Sequence, residues 1–178
     1  MICLFLADGF EELEAVAPLD ILRRAGVEVQ TVGIGGRAIT GSHGVEITCD
    51  ITPEEIDREA LAGIILPGGP GHARLAESPV VSEMLVLAAR KNALLAAICA
   101  APSILGQQGH LNGKKACCYP GYEDKLLGTQ VCYAPVEIDG NVITSRGAGT
   151  AIRFGLALAE YLISPEKATQ VAAQIQCP

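Results

Sequence analysis

Long hydrophobic runs are absent from this sequence of 178 residues. Its apolar stretches are well short of the roughly 18 to 20 residues that a membrane-spanning helix needs, and the apolar N-terminal stretch lacks the basic segment that opens a signal peptide. An excess of positive charge is also absent, since 13 Lys and Arg against 20 Asp and Glu give a net charge of -7. Nucleic acids and anionic membranes are attracted by a positive field. We therefore expect a cytoplasmic protein that binds neither of them.

The patterns of a disulfide framework and of a zinc site are absent as well. The seven cysteines are an odd number without regular spacing, and no Cys-x-x-Cys pair occurs, so we expect mostly reduced thiols and no metal. Histidine, the usual base for a cysteine nucleophile, occurs only at His43, His72 and His110. The first two lie in predicted loops, where a solvated side chain is favoured over one that lines a site, and His110 points away. The sequence predicts no cofactor and no Cys-His dyad.

Apolar segments alternate with helical patterns along the chain. Residues 2–6, 27–34, 64–66 and 93–98 are predicted strands, and residues 45–48 are a further short candidate. Residues 136–138 and 142–144 are predicted strands joined by a turn at residues 139–141. Residues 13–25, 79–91, 102–109 and 149–162 are predicted helices. Strands that are apolar throughout are typical of a parallel sheet covered by helices on both faces. The length fits one domain over residues 1–178. We predict an α/β fold with an open doubly wound sheet, whose site lies at the carboxyl ends of the strands.

Cys99 lies on a predicted sharp turn between a strand and a helix. It directly follows LLAAI and precedes AAPSIL, so small alanines surround it. This sharp turn between strand and helix resembles the nucleophile elbow of the α/β-hydrolases. A helix N-terminus and its free N–H groups favour a thiolate, whereas the alternative is a buried structural cysteine. We favour a reactive thiolate at Cys99.

Two other loops are predicted at the same edge of the sheet. Gly68 and Gly69 follow a buried strand, and their N–H groups, with that of Ala100, are candidates for an oxyanion hole; a plain tight turn is the alternative. Glu14 opens the first helix on the stripe that faces the sheet. A carboxyl group in an apolar environment tends to stay protonated. We therefore predict that Glu14 donates a hydrogen bond to the sulfur of Cys99.

Four segments, ADGFEELE, ILPGGPG, AAICAAPSIL and TSRGAGTA, resemble in order and spacing the DJ-1/ThiJ/PfpI superfamily, and most closely its branch of the parkinsonism-associated deglycase and bacterial relatives. The resemblance runs nearly the full length. It implies a flavodoxin-like three-layer sandwich with a mostly parallel central sheet, usually in a homodimer. It also implies a reactive cysteine at Cys99, a protonated partner at Glu14, and oxyanion amides at Gly69 and Ala100.

The resemblance implies a cysteine-dependent, glutathione-independent glyoxalase or protein deglycase that acts on methylglyoxal, glyoxal and early glycation adducts. The alternatives are a redox-sensing stress protein or chaperone that uses oxidation of Cys99, and an amidase or peptidase. Tyr119 stands where many members carry a histidine, and because tyrosine is a poor base at neutral pH, it disfavours the amidase. Gly68, Ser145 and Arg146 are expected to border the pocket, with a structural turn equally open for the last two.

Overall fold

A six-stranded sheet forms the centre of the computed structural model, which describes residues 1–177. The strands in this range are β1 (Ile2–Ala7), β2 (Val29–Ile34), β3 (Ala38–Thr40), β4 (Glu46–Thr48), β5 (Gly63–Leu66), β6 (Leu94–Ile98), β7 (Lys115–Ala116), β8 (Gln130–Val131), β9 (Val136–Asp139) and β10 (Val142–Ser145). The central sheet has the order β2-β1-β5-β6-β10-β9, while β3 with β4 and β7 with β8 form two small sheets. Its strands are parallel except β9, which pairs antiparallel with β10.

Helices cover both faces of this sheet. They are α1 (Glu12–Arg24), α2 (His72–Glu77), α3 (Pro79–Arg90), α4 (Pro102–Gln107), α5 (Ala151–Leu162) and α6 (Pro165–Gln174). Proline opens α3, α4 and α6, at a position where its missing N–H has no intrahelical partner to lose. Within residues 1–177, no helix is long and apolar enough to span a membrane.

The core consists of two layers, one on each face of the sheet. All six residues of β1 are buried, because successive side chains point to opposite faces and both faces are covered. Phe5 packs in the layer that also contains Leu85 of α3, and Leu4 packs in the layer that contains Phe154 of α5. The α/β fold with three layers and a mostly parallel sheet, predicted from the sequence, is confirmed.

Some short elements differ from the sequence-based predictions. β3 and β4 form a hairpin where only residues 45–48 were expected as a strand, α2 replaces an expected loop, and α4 ends at Gln107 rather than at Gly109. Elements of three to six residues contain too few residues for a hydrophobic period to be recognised. The predicted turn between β9 and β10 is present, with Gly140 at φ +61°.

The carboxyl ends of β1, β5 and β6 lie side by side, as predicted. The loops that follow β1 and β5 are joined by two backbone hydrogen bonds, from Glu11 N to Gly68 O at 3.1 Å and from Gly71 N to Gly9 O at 2.8 Å. Gly9 and Gly69 have φ of +87° and +78°, a region that favours glycine. These loops therefore form a rigid floor next to the turn that carries Cys99.

Candidate active site

Cys99 occupies a strained turn directly after β6. Its φ is +67°, which is uncommon for a residue with a side chain and costs on the order of 1–3 kcal/mol. Backbone hydrogen bonds hold the turn on both sides: Cys99 N donates to Ser145 O at 2.9 Å, and Tyr119 N donates to Cys99 O at 2.8 Å. The surrounding strands thus hold the thiol in a conformation that the isolated chain would avoid. The elbow predicted from the sequence is present.

Glu14 reaches the same turn from the first helical turn of α1. Its side chain is 1% exposed, and its Oε2 accepts a hydrogen bond from Gly68 N at 2.8 Å. The carboxyl group is also hydrogen-bonded to the thiol of Cys99. The structure therefore brings together the two residues that the sequence paired.

Glu14 and Cys99 share one proton. Burial raises the pKa of Glu14 to about 7, although hydrogen bonds from Cys99 and Gly68 act against this shift. Burial and the charge of an ionised Glu14 raise the pKa of Cys99 to about 12, against the N–H groups of Gly69 and Ala100. Between these values the pair carries one proton and one negative charge. A thiolate is therefore present only when that proton lies on Glu14.

From the sequence, we expect the helix that follows Cys99 to favour a thiolate through its N-terminus. That helix, α4, has only six residues, so its dipole is small compared with that of a full-length helix. The N–H groups of Gly69 and Ala100 point at the sulfur instead and supply the local positive potential. The N–H of Gly68, also a candidate for the oxyanion hole, is occupied by Glu14.

A cavity of about 260 Å³ opens in front of the sulfur. It is lined by Gly69, Pro70, His72, Cys99, Ala100, Tyr119 and Tyr122. His72 and Tyr122 were not predicted there; their rings pack edge to face with centroids 5.4 Å apart. The Nδ1 of His72 lies 2.8 Å from Gly69 O, so His72 acts as a hydrogen-bond donor to the glycine loop. Its position directly after PGGPG was the one signal in the sequence that could have placed it here.

The remaining predicted pocket residues have different positions. Tyr119 lines the cavity, whereas Gly68 is not one of its lining residues and instead donates its N–H to Glu14. Ser145 is fully buried and its hydroxyl donates to Pro135 O at 2.8 Å. It therefore supports the turn, which is one of the two alternatives that the sequence left open, and it does not line the cavity. Arg146 lines a neighbouring cavity.

Gly68 offers a direct test of the contact between Glu14 and Cys99. A Cβ at Gly68 would lie 2.7 Å from both Cys99 Cβ and Glu14 Oε2, so Gly68→Ala is expected to push the two side chains apart. Loss of a hydrogen bond to a charged group corresponds to about a tenfold effect. We therefore expect the rate at which iodoacetamide alkylates Cys99 at pH 8 to fall about tenfold. Peptide mass spectrometry measures this rate. Gly149→Ala is the control, since its Cβ meets nothing within 4 Å; equal rates in both variants would contradict the contact.

One group among the described residues has ligand atoms close enough to hold a metal ion. Glu11, Glu12 and His43 place one ligand atom each within 4.8 Å of one another. The oxygens of Glu12 are already engaged, because Oε1 accepts from His43 N at 2.7 Å and Oε2 lies 2.9 Å from His43 Nδ1. This group fastens the hairpin of β3 and β4 to the start of α1, and its geometry is explained without a metal.

Comparisons with known proteins show which sequences and structures this chain is similar to. Residues 1–161 match the DJ-1/PfpI family. The chain is 40% identical over 176 residues to the Parkinson disease protein 7 homolog of Danio rerio, covering 96% of this chain and 93% of that protein. It is 35% identical over 159 residues to the glutathione-independent glyoxalase DJR-1.2 of Caenorhabditis elegans, covering 88% and 85%. The structure of oxidised Toxoplasma gondii DJ-1 superposes with a TM-score of 0.94 at 34% identity, over 98% and 97% of the two chains.

Proposed function

The chain belongs to the DJ-1/PfpI family, and we propose that it is a cysteine-dependent, glutathione-independent glyoxalase acting on methylglyoxal and glyoxal. One observation carries the proposal: the sulfur of Cys99 contacts a carboxyl group and two backbone N–H groups at the floor of a cavity of about 260 Å³. A base, a nucleophile and an oxyanion site are thus within reach of a single small carbonyl compound.

The first step is addition of the thiol to the aldehyde. Glu14, with a pKa near 7, is matched to taking the thiol proton near neutral pH. The sulfur attacks the aldehyde carbon of methylglyoxal, and the resulting oxyanion accepts hydrogen bonds from the N–H groups of Gly69 and Ala100. Transfer of a proton to this oxygen gives a hemithioacetal. Cysteine takes the place that glutathione would have as the thiol.

The second step is an internal redox rearrangement that needs no external oxidant. Glu14 removes the proton from the former aldehyde carbon, and the electron pair moves to the neighbouring carbonyl to give an enediolate. Glu14 returns the proton to the second carbon, and the hydroxyl proton of the first carbon moves to the oxygen of the second, which leaves a carbonyl group next to the sulfur. The product is a lactate thioester of Cys99. Water hydrolyses the thioester, releasing lactate and restoring the thiol, so that methylglyoxal and water give lactate.

Production of lactate is the decisive test. Purified protein is incubated with methylglyoxal without glutathione, and D- and L-lactate are measured with stereospecific dehydrogenases. We expect lactate to form at a rate proportional to protein concentration, with glycolate formed from glyoxal. A rate no higher than that of Cys99→Ser would contradict the proposal.

The same chemistry extends to early glycation adducts, which release an aldehyde reversibly. Direct deglycation is distinguished from removal of free methylglyoxal by comparing rates. If the protein clears a preformed arginine adduct faster than the adduct dissociates spontaneously, it acts on the adduct itself. A rate limited by spontaneous dissociation assigns the activity to the free aldehyde alone.

Redox sensing is a second candidate function, supported by the exposure of Cys99. Cys3, Cys49, Cys117 and Cys118 are buried, whereas Cys99, Cys132 and Cys177 are partly buried. Of these three, Cys99 lines the cavity and has the N–H groups of Gly69 and Ala100 at its sulfur. Two equivalents of hydrogen peroxide convert a thiolate to a sulfinate and two water molecules, and the nearby N–H groups suit such an anion. Mild peroxide is expected to add two oxygen atoms to Cys99 alone by peptide mass spectrometry. Oxidation spread evenly over the seven cysteines would contradict a sensor.

A further inference from the structure

A second cavity of about 420 Å³ adjoins the cavity of Cys99. We call it the Arg146 cavity; its wall includes Tyr119, Tyr133, Pro135, Arg146 and the backbone of residues 147–150. Tyr119 lines both cavities. The proposed reaction needs only the smaller cavity, so the Arg146 cavity has no role in it.

Gly147 brings the Arg146 cavity close to the reacting groups. A Cβ on Gly147 would lie 3.3 Å from Tyr119 Cδ2 and 4.0 Å from Glu14 Oε1. Because glycine has no side chain, the ring of Tyr119 and the carboxyl group of Glu14 both approach its backbone. The carboxyl group that contacts Cys99 thus also lies next to the wall of the second cavity. The two cavities therefore share a wall close to the reacting groups.

Arg146 gives the second cavity a positive charge that forms no ion pair with the described residues. Within residues 1–177, its Nε is buried without a hydrogen-bond partner, and its guanidinium takes part in none of the ion pairs. The guanidinium lies 5.8 Å from the ring centroid of Tyr133. The guanidinium lines the cavity, where a bound anion would supply it with a charged acceptor. The 12-residue helix α5 begins at the same wall, and helix N-termini favour anions.

From this geometry we propose that the Arg146 cavity binds the carboxylate of a substrate whose aldehyde reacts at Cys99. The inference rests on the proposed function and specifies its substrate class: 2-oxoaldehydes that carry a carboxylate at the other end. A single guanidinium matches a carboxylate in charge and in its two-pronged hydrogen bonding. The reaction is unchanged, since only the distal end of the substrate differs.

Two substrates with five carbon atoms test the inference. 4,5-Dioxopentanoate carries the carboxylate and gives 2-hydroxyglutarate, whereas 2-oxopentanal is uncharged and gives 2-hydroxypentanoate. We expect kcat/KM to be at least about tenfold higher for the anion, as for a charge-assisted hydrogen bond. Arg146→Gln is expected to lower the ratio of the two kcat/KM values about tenfold. Arg146→Lys, which keeps the charge but not the planar guanidinium, is expected to retain part of the preference. Arg153→Gln removes a charge from an exposed site on α5 and is expected to leave the ratio unchanged.

A binding measurement separates failure of this inference from failure of the proposed function. Glutarate, which cannot react, is titrated into the Cys99→Ser protein and followed by calorimetry and by the amide resonances of residues 147–150. Saturable binding that weakens about tenfold in the additional Arg146→Gln variant supports the subsite, even if no lactate is ever formed. A substrate ratio near one in the active protein, or glutarate affinity that Arg146→Gln leaves unchanged, overturns it.

Discussion

Replacing Cys99 by serine is expected to lower lactate formation from methylglyoxal by about a thousandfold or more, as removal of a nucleophile does in other covalent enzymes. Glu14, whose pKa is near 7, is a strong enough base to share the proton of a thiol, but a serine hydroxyl releases its proton far less readily. Serine is nearly the same size as cysteine, and at this position it must adopt the same φ of +67°. The loss therefore reports on the sulfur and not on the fold.

A second cysteine provides the matched control for this substitution. Cys132 is also partly buried, and its Sγ lies 3.2 Å from Ala116 O, a hydrogen bond that a serine hydroxyl can make. Cys132→Ser is expected to retain full activity and to unfold within a few degrees of the parent protein. If Cys132→Ser lost activity while Cys99→Ser kept a tenth of it or more, the nucleophile would have been misassigned.

Replacing Glu14 by glutamine is expected to stabilise the protein by about 2–3 kcal/mol at pH 8. Burial raises the pKa of Glu14 from 4.5 to about 7 in the folded state. Protonation therefore favours folding, and its contribution is fully present below pH 4.5 and lost as the pH rises through 7. Glutamine is neutral at every pH and can still accept from Gly68 N. Urea unfolding at pH 8 and at pH 5 measures the effect, and the advantage of glutamine should shrink at the lower pH.

Glu12→Gln is expected to change the stability in the opposite direction and serves as the control. Burial acts to raise its pKa, but hydrogen bonds from His43 and Val45 outweigh burial and lower the pKa to about 2. The folded state thus favours the ionised form of Glu12, and its contribution is lost as the pH falls through that value. Glu12→Gln is expected to destabilise the protein at pH 8. A stabilising effect of both substitutions would point to a general effect of net charge instead of burial at Glu14.

The stabilised Glu14→Gln variant is expected to lose glyoxalase activity, because glutamine cannot accept the thiol proton. A group that is costly to bury and needed for the reaction is typical of an active site.

In the parent protein, the rate of Cys99 alkylation should rise with pH, with a midpoint near pH 7, where the pair of Glu14 and Cys99 loses its first proton. Glu14→Leu should move this midpoint above 9, the ordinary thiol value, since only a desolvated thiol remains.

Much of the fold follows from local patterns in the sequence. Wholly apolar strands, glycine-rich loops and helical periodicity were sufficient to predict a parallel sheet covered on both faces, because these patterns depend on residues close in the chain. The family named from four segments is confirmed. The elbow at Cys99 is likewise local, since a buried strand runs directly into a helix. The strand β3 and the helix α2 were missed because elements of three to six residues are too short to show a hydrophobic period.

The sequence by itself determined which residues carry the proposed chemistry: a cysteine on a turn, a carboxyl group on the inward stripe of α1, and glycines that follow a buried strand. Tertiary structure decided the contacts of each of these groups. It engaged the N–H of Gly68 with Glu14, placed His72 in the pocket, and left the Nε of Arg146 without a hydrogen-bond partner among residues 1–177. The location of the shared proton also depends on tertiary structure. The physical reason is that desolvation and hydrogen bonding depend on distances between residues far apart in the chain, which no local pattern encodes.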